Sequence, residues 1–213
     1  MQRPDPVRAV VFDFDGLLAD TEKPWGVAEA AMFTTRGLVY GDAERHLFLG
    51  AACEDAAAIM AERFNEPCPD VLAEFVGRAR DELTAGSEPM PGAVDLLSQL
   101  RLPYAIASNT PRDLLDLSIV SSGLAELVPL SVSASEVSAP KPAPDVYLRA
   151  CELLGVVPSE AVAFEDSRTG AAAARAAGLW VVMVPSGPHE AEDAHLILDA
   201  LNHPGLADVL PTA

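Results

Sequence analysis

Five short, largely apolar runs limit the fold of this chain more than any other feature of its sequence. They lie at 8–12 (RAVVF), 104–108 (YAIAS), 130–134 (LSVSA), 161–165 (AVAFE) and 180–184 (WVVMV). Runs that are apolar on both faces are typical of parallel strands covered by helices on both sides. Helical patterns separate the later runs, and strand and helix alternate from residue 93 onward. This alternation predicts an α/β fold with a doubly wound, Rossmann-like parallel sheet.

Residues 22–86 interrupt the alternation. Four amphipathic helical patterns follow one another there, and we find no strand pattern among them. Prolines and a glycine between residues 87 and 92 then mark the return to the α/β pattern. We therefore predict an α/β core formed by residues 1–21 and 87–213, with an all-helical module inserted at 22–86. The two crossings of the chain between core and module would form a hinge.

The composition limits the partners that we expect. Half of the 213 residues are hydrophobic, the formal net charge is −18 and the pI is about 4.4. Such an acidic surface repels nucleic-acid backbones and anionic membrane faces, so we expect neither as a partner. Cys53, Cys68 and Cys151 show neither metal-ligand nor disulfide spacing, and no apolar stretch suits a signal peptide or a membrane span. We therefore expect a cytoplasmic protein, and we expect it to be a monomer.

Polar side chains lie at, or just after, the carboxyl ends of the first four predicted strands. In strand order they are Asp13 and Asp15, then Ser108, Asn109 and Thr110, then Lys141, and finally Glu165 and Asp166. In an open parallel sheet, ligands bind at this edge. Clustered carboxylates repel one another unless a cation lies between them, and oxygen ligands select a hard ion such as Mg²⁺. Hydroxyl and ammonium groups hold phosphate oxygens. The pattern therefore predicts a site for Mg²⁺ and a phosphorylated small molecule.

The spacing of Asp13 and Asp15 suits a phosphoryl transfer. A carboxylate next to a metal-held phosphate can attack phosphorus and form an aspartyl-phosphate. A second carboxylate nearby can protonate the leaving oxygen and later deprotonate water. Because alternate side chains of a strand face opposite ways, we expect the backbone to leave strand geometry between the two aspartates. Gly16 would allow that turn.

Four motifs resemble those of the haloacid dehalogenase superfamily, in its branch of small sugar phosphatases and β-phosphoglucomutases. They are DFDGLLADTE at 13–22, SNT at 108–110, KPAPD at 141–145 and EDSRTG at 165–170, in the family's order. The resemblance implies that Asp13 is the nucleophile, that Asp15 is the acid/base and that Ser108 binds phosphate. Lys141 matches the lysine of the third motif, and the inserted module resembles the family's cap.

The resemblance also implies a ligand set and an activity. The expected metal ligands are Asp13, Asp15, Glu165 and Asp166. The expected reaction is the Mg²⁺-dependent hydrolysis of a small phosphorylated metabolite, such as a sugar phosphate, through phospho-Asp13. Besides the phosphate-holding groups, we expect substrate contacts from Asn109, Trp25 and the arginines of one cap helix, Arg78 and Arg80.

Two other functions stay open at this point. A phosphosugar mutase of the β-phosphoglucomutase type would share every core residue, so only the cap distinguishes the two enzymes. Relatives with mutase activity carry a histidine where Trp25 stands and an arginine where Cys53 stands, which favours hydrolysis here, although Arg78 or Arg80 could supply a cation. A receiver-like signalling module also has a phosphorylatable aspartate. The length of this chain, its helical insert and the position of Asp13 after the first strand disfavour that reading.

Overall fold

The structure, a computed structural model, describes residues 2–185 and 193–210. Its strands are β1 (Ala9–Phe12), β2 (Tyr104–Ser108), β3 (Ser131–Ser133), β4 (Ala161–Glu165), β5 (Trp180–Met183) and β6 (Leu196–Ile197). They form one six-stranded sheet in the order β3-β2-β1-β4-β5-β6, and every neighbouring pair is parallel. The sheet confirms the predicted α/β class, and β1 to β5 match the five apolar runs.

The sixth strand was not predicted from the sequence. It contains only two residues, Leu196 and Ile197, which pair with Val182 and Met183 of β5. Two residues are too few to show the periodicity that identifies a strand. This strand exists because β5 offers an edge with which it can pair.

Eight α-helices complete the described part of the chain. The first four follow β1 and are α1 (Glu22–Thr34), α2 (Asp42–Phe48), α3 (Cys53–Phe64) and α4 (Cys68–Thr84). The others are α5 (Ala93–Gln99), α6 (Arg112–Ser121), α7 (Asp145–Leu154) and α8 (Arg168–Ala177). Among the residues described, none of the helices is both long and apolar enough to cross a membrane.

Both faces of the sheet are covered, as expected for strands that are apolar on both sides. On one face the stacked rings of Phe12 and Phe164, with centroids 5.2 Å apart, pack with residues of α5 and α6. On the other face the strands present mostly alanine and valine, and α7 and the alanine-rich α8 pack against them. Helices therefore occupy both faces of the sheet, and the carboxyl ends of the strands are left for a site.

Helices α1 to α4, which we call the helical unit (22–84), have an apolar core of their own. Met32, Met60, Phe75 and Leu83 are buried there, and Leu114 of α6 packs against the same cluster. The unit joins the sheet through two chain segments, 18–20 and 88–90, that lie side by side. They are held by hydrogen bonds from Asp20 N to Glu88 O and from Met90 N to Leu18 O, each 2.9 Å long. The domain boundaries at residues 22 and 86 stay a prediction.

Candidate active site

Three acidic side chains converge at the carboxyl ends of β1 and β4, because these parallel strands are neighbours in the sheet. Asp13 directly follows β1, and its backbone N–H donates to Phe164 O at 2.9 Å, which extends the pairing with β4. Glu165 ends β4 and Asp166 follows it. The three carboxylates are buried, and each offers an oxygen within 4.8 Å of the others.

This cluster of Asp13, Glu165 and Asp166 suits a hard divalent cation. Its ligand atoms are all carboxylate oxygens, which Mg²⁺ prefers over nitrogen or sulfur. Buried carboxylates at this spacing also repel one another, and a divalent cation would remove that repulsion. The structure does not bring the Asp15 side chain into the cluster, although the sequence predicts it as a ligand.

The Asp15 carboxylate is instead held by four hydrogen-bond donors. Thr21 Oγ1 and Trp25 Nε1 donate to Oδ1 at 2.8 and 3.3 Å, and Ser108 Oγ and Thr110 Oγ1 donate to Oδ2 at 2.9 and 2.8 Å. These donors come from both sides of the cavity described below. They fix the Asp15 carboxylate beside Asp13 without placing it on the cluster.

Gly16 lets Asp13 and Asp15 reach the same cavity. Strand β1 ends at Phe12, and Gly16 has φ +77°, a conformation that other residues rarely adopt. A Cβ atom at Gly16 would lie 2.4 Å from Oδ2 of Asp166. The glycine therefore permits both the turn of the backbone and the close approach of the acidic cluster.

Lys141 links the acids of β1 and β4. Its Nζ donates to Asp13 Oδ1 and to Glu165 Oε1, each at 2.6 Å, and the side chain is only 3% exposed. Burial alone would lower the pKa of Lys141, but Asp13 and Glu165 outweigh it and raise the pKa above its ordinary value. Tyr147 of α7 donates its hydroxyl to the same Glu165 oxygen. The ammonium group is therefore charged and held in one position.

Asn109 fixes the backbone of Lys141 and also contacts the helical unit. Its Oδ1 accepts from Lys141 N at 2.7 Å, and its Nδ2 donates to Lys141 O at 3.2 Å and to Gly50 O at 3.1 Å. Ser108, which the resemblance assigns to phosphate binding, is fully buried and donates to Asp15. Thr110, two residues further along, lines the cavity.

Glu165 lies close against the first turn of α8. The Ser167 hydroxyl caps this helix by accepting from Gly170 N at 3.1 Å. A Cβ atom at Gly170 would lie 1.9 Å from Glu165 Oε1, so only glycine leaves room for the carboxylate. The sequence EDSRTG therefore sets both the helix start and the position of an acid in the cluster.

A cavity of about 60 Å³ separates the sheet edge from the helical unit. The sheet edge contributes Asp13, Asp15, Asn109, Thr110, Lys141, Asp166 and Ser167. The helical unit contributes three charged residues, Glu22, Glu29 and Arg45, with a largely apolar remainder that includes Trp25, Phe48, Cys53 and Phe75. The site thus combines a polar, cation-holding wall with a wall that could contact the rest of a ligand.

Of the three residues of the helical unit that were predicted to contact substrate, Trp25 lines the cavity, whereas Arg78 and Arg80 form ion pairs elsewhere. Trp25 lines the cavity, donates to Asp15 and packs on Phe75 with ring centroids 5.6 Å apart. Arg78 instead pairs with Glu74 one turn away, at 2.8 Å. Arg80 pairs with Asp113 of α6. Neither arginine is among the described residues that line the cavity, because their positions on α4 turn them towards these acids.

Arg45 is the cavity-lining arginine that the sequence did not indicate. It lies on α2, its side chain is half exposed, and its Nη2 is 3.8 Å from Glu22 Oε2. Glu22 is part of the first motif, so its place at the site could have been inferred from that motif. Arg45 and Glu29 have no local pattern that sets them apart from other charged residues on helices, and only the packing of the helical unit reveals them.

Comparisons with known proteins agree with this geometry. A model of the haloacid dehalogenase-like hydrolase family matches residues 7–178. Validoxylamine A 7'-phosphate phosphatase of Streptomyces hygroscopicus subsp. limoneus is 32% identical over 200 residues, which cover 87% of this chain and 88% of that protein. Hexitol phosphatase B of Escherichia coli K12 is 30% identical over 205 residues, which cover 93% of this chain and 92% of that protein.

Among solved structures, CbbY from Rhodobacter sphaeroides in complex with phosphate superimposes with a TM-score of 0.80 at 27% identity. The match covers 93% of this chain and 96% of that chain. The chain therefore belongs to the haloacid dehalogenase-like hydrolases, in the branch that contains sugar phosphatases and β-phosphoglucomutases. It is a phosphoric monoester hydrolase, and a receiver-like signalling module is not supported.

The stability of the protein should depend on pH through Glu29. Burial, assisted by Glu22 and opposed by Tyr40 and Arg45, raises its pKa from 4.5 to about 7. Between these values the folded protein binds more protons than the unfolded chain, so the free energy of unfolding falls as pH rises. The free energy of unfolding of the parent protein should therefore decrease between pH 5 and pH 8. In Glu29→Gln this decrease should be smaller by about 2 kcal/mol.

Urea unfolding of both proteins at the two pH values measures this difference. Glu62→Gln, at an exposed position of α3, is the matched control and should keep the parent's pH dependence. Equal pH dependence in Glu29→Gln and the parent protein would show that Glu29 does not titrate in this way.

Proposed function

We propose that this protein is a Mg²⁺-dependent phosphatase that hydrolyses a small phosphorylated metabolite, of the sugar phosphate class, through phospho-Asp13. The observation that carries the proposal is the position of the Asp13 carboxylate, which belongs to the acidic cluster and accepts a hydrogen bond from the Lys141 ammonium group. The named relatives support the substrate class, since they act on phosphate esters of a hexitol and of validoxylamine A.

Asp13, Glu165 and Asp166 would hold the metal ion. Once bound, Mg²⁺ would draw electron density from a phosphate oxygen and offset the negative charge that meets at the cluster. Lys141, which donates to Asp13, supplies a second positive charge. The proposal thus explains how a chain of net charge −18 can accept an anionic substrate, because the charge is reversed locally.

The covalent steps then involve two aspartates. A carboxylate oxygen of Asp13 attacks phosphorus, the bond from phosphorus to the leaving oxygen breaks, and Asp15 gives that oxygen a proton. Asp15 then takes a proton from a water molecule, whose oxygen attacks phosphorus and releases Asp13 and inorganic phosphate. Thr21, Trp25, Ser108 and Thr110 keep Asp15 beside the reacting groups.

We propose that the helical unit acts as a cap that closes over the substrate. The cavity lies between the sheet edge and the helical unit, so movement of the unit away from the sheet would open it to a substrate. The contacts that would then break include Asn109 with Gly50 and Arg80 with Asp113. The paired segments 18–20 and 88–90 would serve as the hinge.

We infer that hydrolysis is favoured over mutase activity. A mutase must bind a second phosphate on the cap side, and the residues at the two family positions, Trp25 and Cys53, are neutral. Arg45 offers a positive charge, but Glu22 lies beside it and Glu29 is buried in the same wall. The net charge of these three side chains does not favour a second phosphate.

Location in the cytoplasm and a monomeric state stay predictions.

Asp13→Asn tests the proposed mechanism directly. The amide cannot form the acyl phosphate, so kcat for a phosphomonoester should fall by at least about 10³-fold. Circular dichroism should show an unchanged fold, because the side chain keeps its shape. Asp20→Asn, in the same segment but paired with exposed Lys23, is the control and should stay within about twofold of the parent protein. Substantial turnover by Asp13→Asn would refute the mechanism.

Chelation of Mg²⁺ should also remove the parent's activity, and added Mg²⁺ should restore it.

Products formed from β-glucose 1-phosphate distinguish the phosphatase from the mutase. With a trace of the 1,6-bisphosphate present, we expect free phosphate to appear in step with substrate loss. The reason is that the cap wall lacks a net positive charge to hold the bisphosphate while water is excluded. The measurement compares free phosphate with glucose 6-phosphate over time. Accumulation of glucose 6-phosphate with little free phosphate would identify a mutase.

A further inference from the structure

The wall of the cavity that belongs to the helical unit contains a buried acid that the proposed mechanism does not use. Glu29 lies on α1, is only 7% exposed and lines the same cavity as Asp13 and Lys141. Its neighbours in that wall include Phe48, Cys53 and Phe75, which are apolar. A carboxylate in such surroundings is unfavourable unless it is paired or hydrogen-bonded.

Within the described part of the chain, Glu29 is only partly satisfied. Its Oε2 accepts a hydrogen bond from the Tyr40 hydroxyl, whereas Oε1 has no hydrogen-bond partner there. Desolvation raises the pKa of Glu29 to about 7, which shows how poorly the surrounding residues stabilise its charge. Because Glu29 lines the cavity, a ligand that enters it could donate a hydrogen bond to this oxygen.

The other charged groups of this wall do not neutralise Glu29. Arg45 lies nearest to Glu22, at 3.8 Å, and is half exposed to solvent. Desolvation, with repulsion from Asp15, also raises the pKa of Glu22 to about 7. Glu22 and Glu29 together can carry two negative charges against the single positive charge of Arg45.

We infer that Glu29 is a specificity-determining residue that selects phosphomonoesters whose leaving group carries a protonated amine, an inference that rests on the proposed phosphatase function. An ammonium group would donate to the open Oε1 and supply the positive charge that the wall lacks. A hydroxyl group in the same place could donate but brings no charge. A second phosphate would be repelled by Glu29 and Glu22.

The contact between Glu29 and Tyr40 has an alternative explanation. It joins α1 to the segment before α2 and could serve only to stabilise the helical unit. The two roles predict different effects of mutation. If the role is structural, removal of either partner lowers stability and leaves the choice of substrate unchanged. If Glu29 selects the ligand, removal of its negative charge abolishes the specificity, whereas removal of the Tyr40 hydroxyl, which lowers the pKa of Glu29, only weakens it.

The experiment uses pairs of esters that differ only in an amine or a hydroxyl. The pairs are 2-aminoethyl and 2-hydroxyethyl phosphate, 3-aminopropyl and 3-hydroxypropyl phosphate, and glucosamine 6-phosphate and glucose 6-phosphate. For each pair, kcat/KM at pH 7.5 gives an amine-to-hydroxyl ratio for the parent protein, Glu29→Gln and Tyr40→Phe. Glutamine keeps an oxygen that can accept from Tyr40, but it removes the charge and replaces the second acceptor oxygen with an NH2 group.

We expect the parent protein to favour the amine by about tenfold in at least one pair, as for a hydrogen bond to a charged group. Glu29→Gln should bring that ratio close to one, and Tyr40→Phe, which keeps the carboxylate, should keep it clearly above one. A ratio of one or less in all three pairs, or an unchanged ratio in Glu29→Gln, would overturn the inference.

A binding measurement separates failure of the inference from failure of the proposed function. Dissociation constants of the same pairs are measured with Asp13→Asn, alone and combined with Glu29→Gln. If the parent protein releases phosphate from none of the esters, the proposed function fails, and the binding ratios still report on Glu29. If phosphate is released but neither kcat/KM nor binding favours the amine, only the inference fails.

Discussion

The buried ammonium group of Lys141 is the interaction on which the rest of the site depends. It lies 2.6 Å from oxygens of both Asp13 and Glu165, which end adjacent strands of the sheet. Buried charges cost several kcal/mol unless they are paired with good geometry, and Lys141 provides that pairing for both acids. Asn109 holds the lysine backbone and Tyr147 holds the acceptor carboxylate. Removing the lysine charge would leave two buried acids beside Asp166 without a compensating cation.

The same charge arrangement divides the cavity into two electrostatic regions. Near the sheet, Lys141 and a bound cation would favour an anionic phosphate, although the chain as a whole is strongly acidic. On the side of the helical unit, Glu22 and Glu29 outnumber Arg45, and the remaining surface is largely apolar. A substrate with one phosphate and a polar or positively charged remainder suits both regions. A substrate with two phosphates suits only the first.

The sequence predicts the sheet and the acidic edge well, because both depend on local patterns. An apolar run such as AVAFE identifies a buried strand, and parallel strands bring their carboxyl ends together whatever the rest of the chain does. Contacts between separate elements are harder to predict. Arg78 and Arg80 are paired outside the cavity, whereas Arg45 lies in its wall, and the orientation of α4 and α2 decides this. The Asp15 side chain likewise turns to hydroxyl groups from distant segments, which no local pattern shows.

The central claim is that Asp13 becomes phosphorylated during turnover, and trapping that species tests it most directly. Asp15→Asn should slow the hydrolysis of the intermediate, because the amide cannot take a proton from water. An aryl phosphomonoester is used, because its leaving group departs without a proton from Asp15 and the first step is then not slowed. The variant and the parent protein are mixed with a phosphomonoester, quenched in acid within one turnover, digested and analysed by mass spectrometry. The account predicts a phosphoryl group on Asp13 that accumulates in Asp15→Asn. Release of phosphate with no phosphorylated peptide, or with the phosphoryl group on another residue, would contradict it.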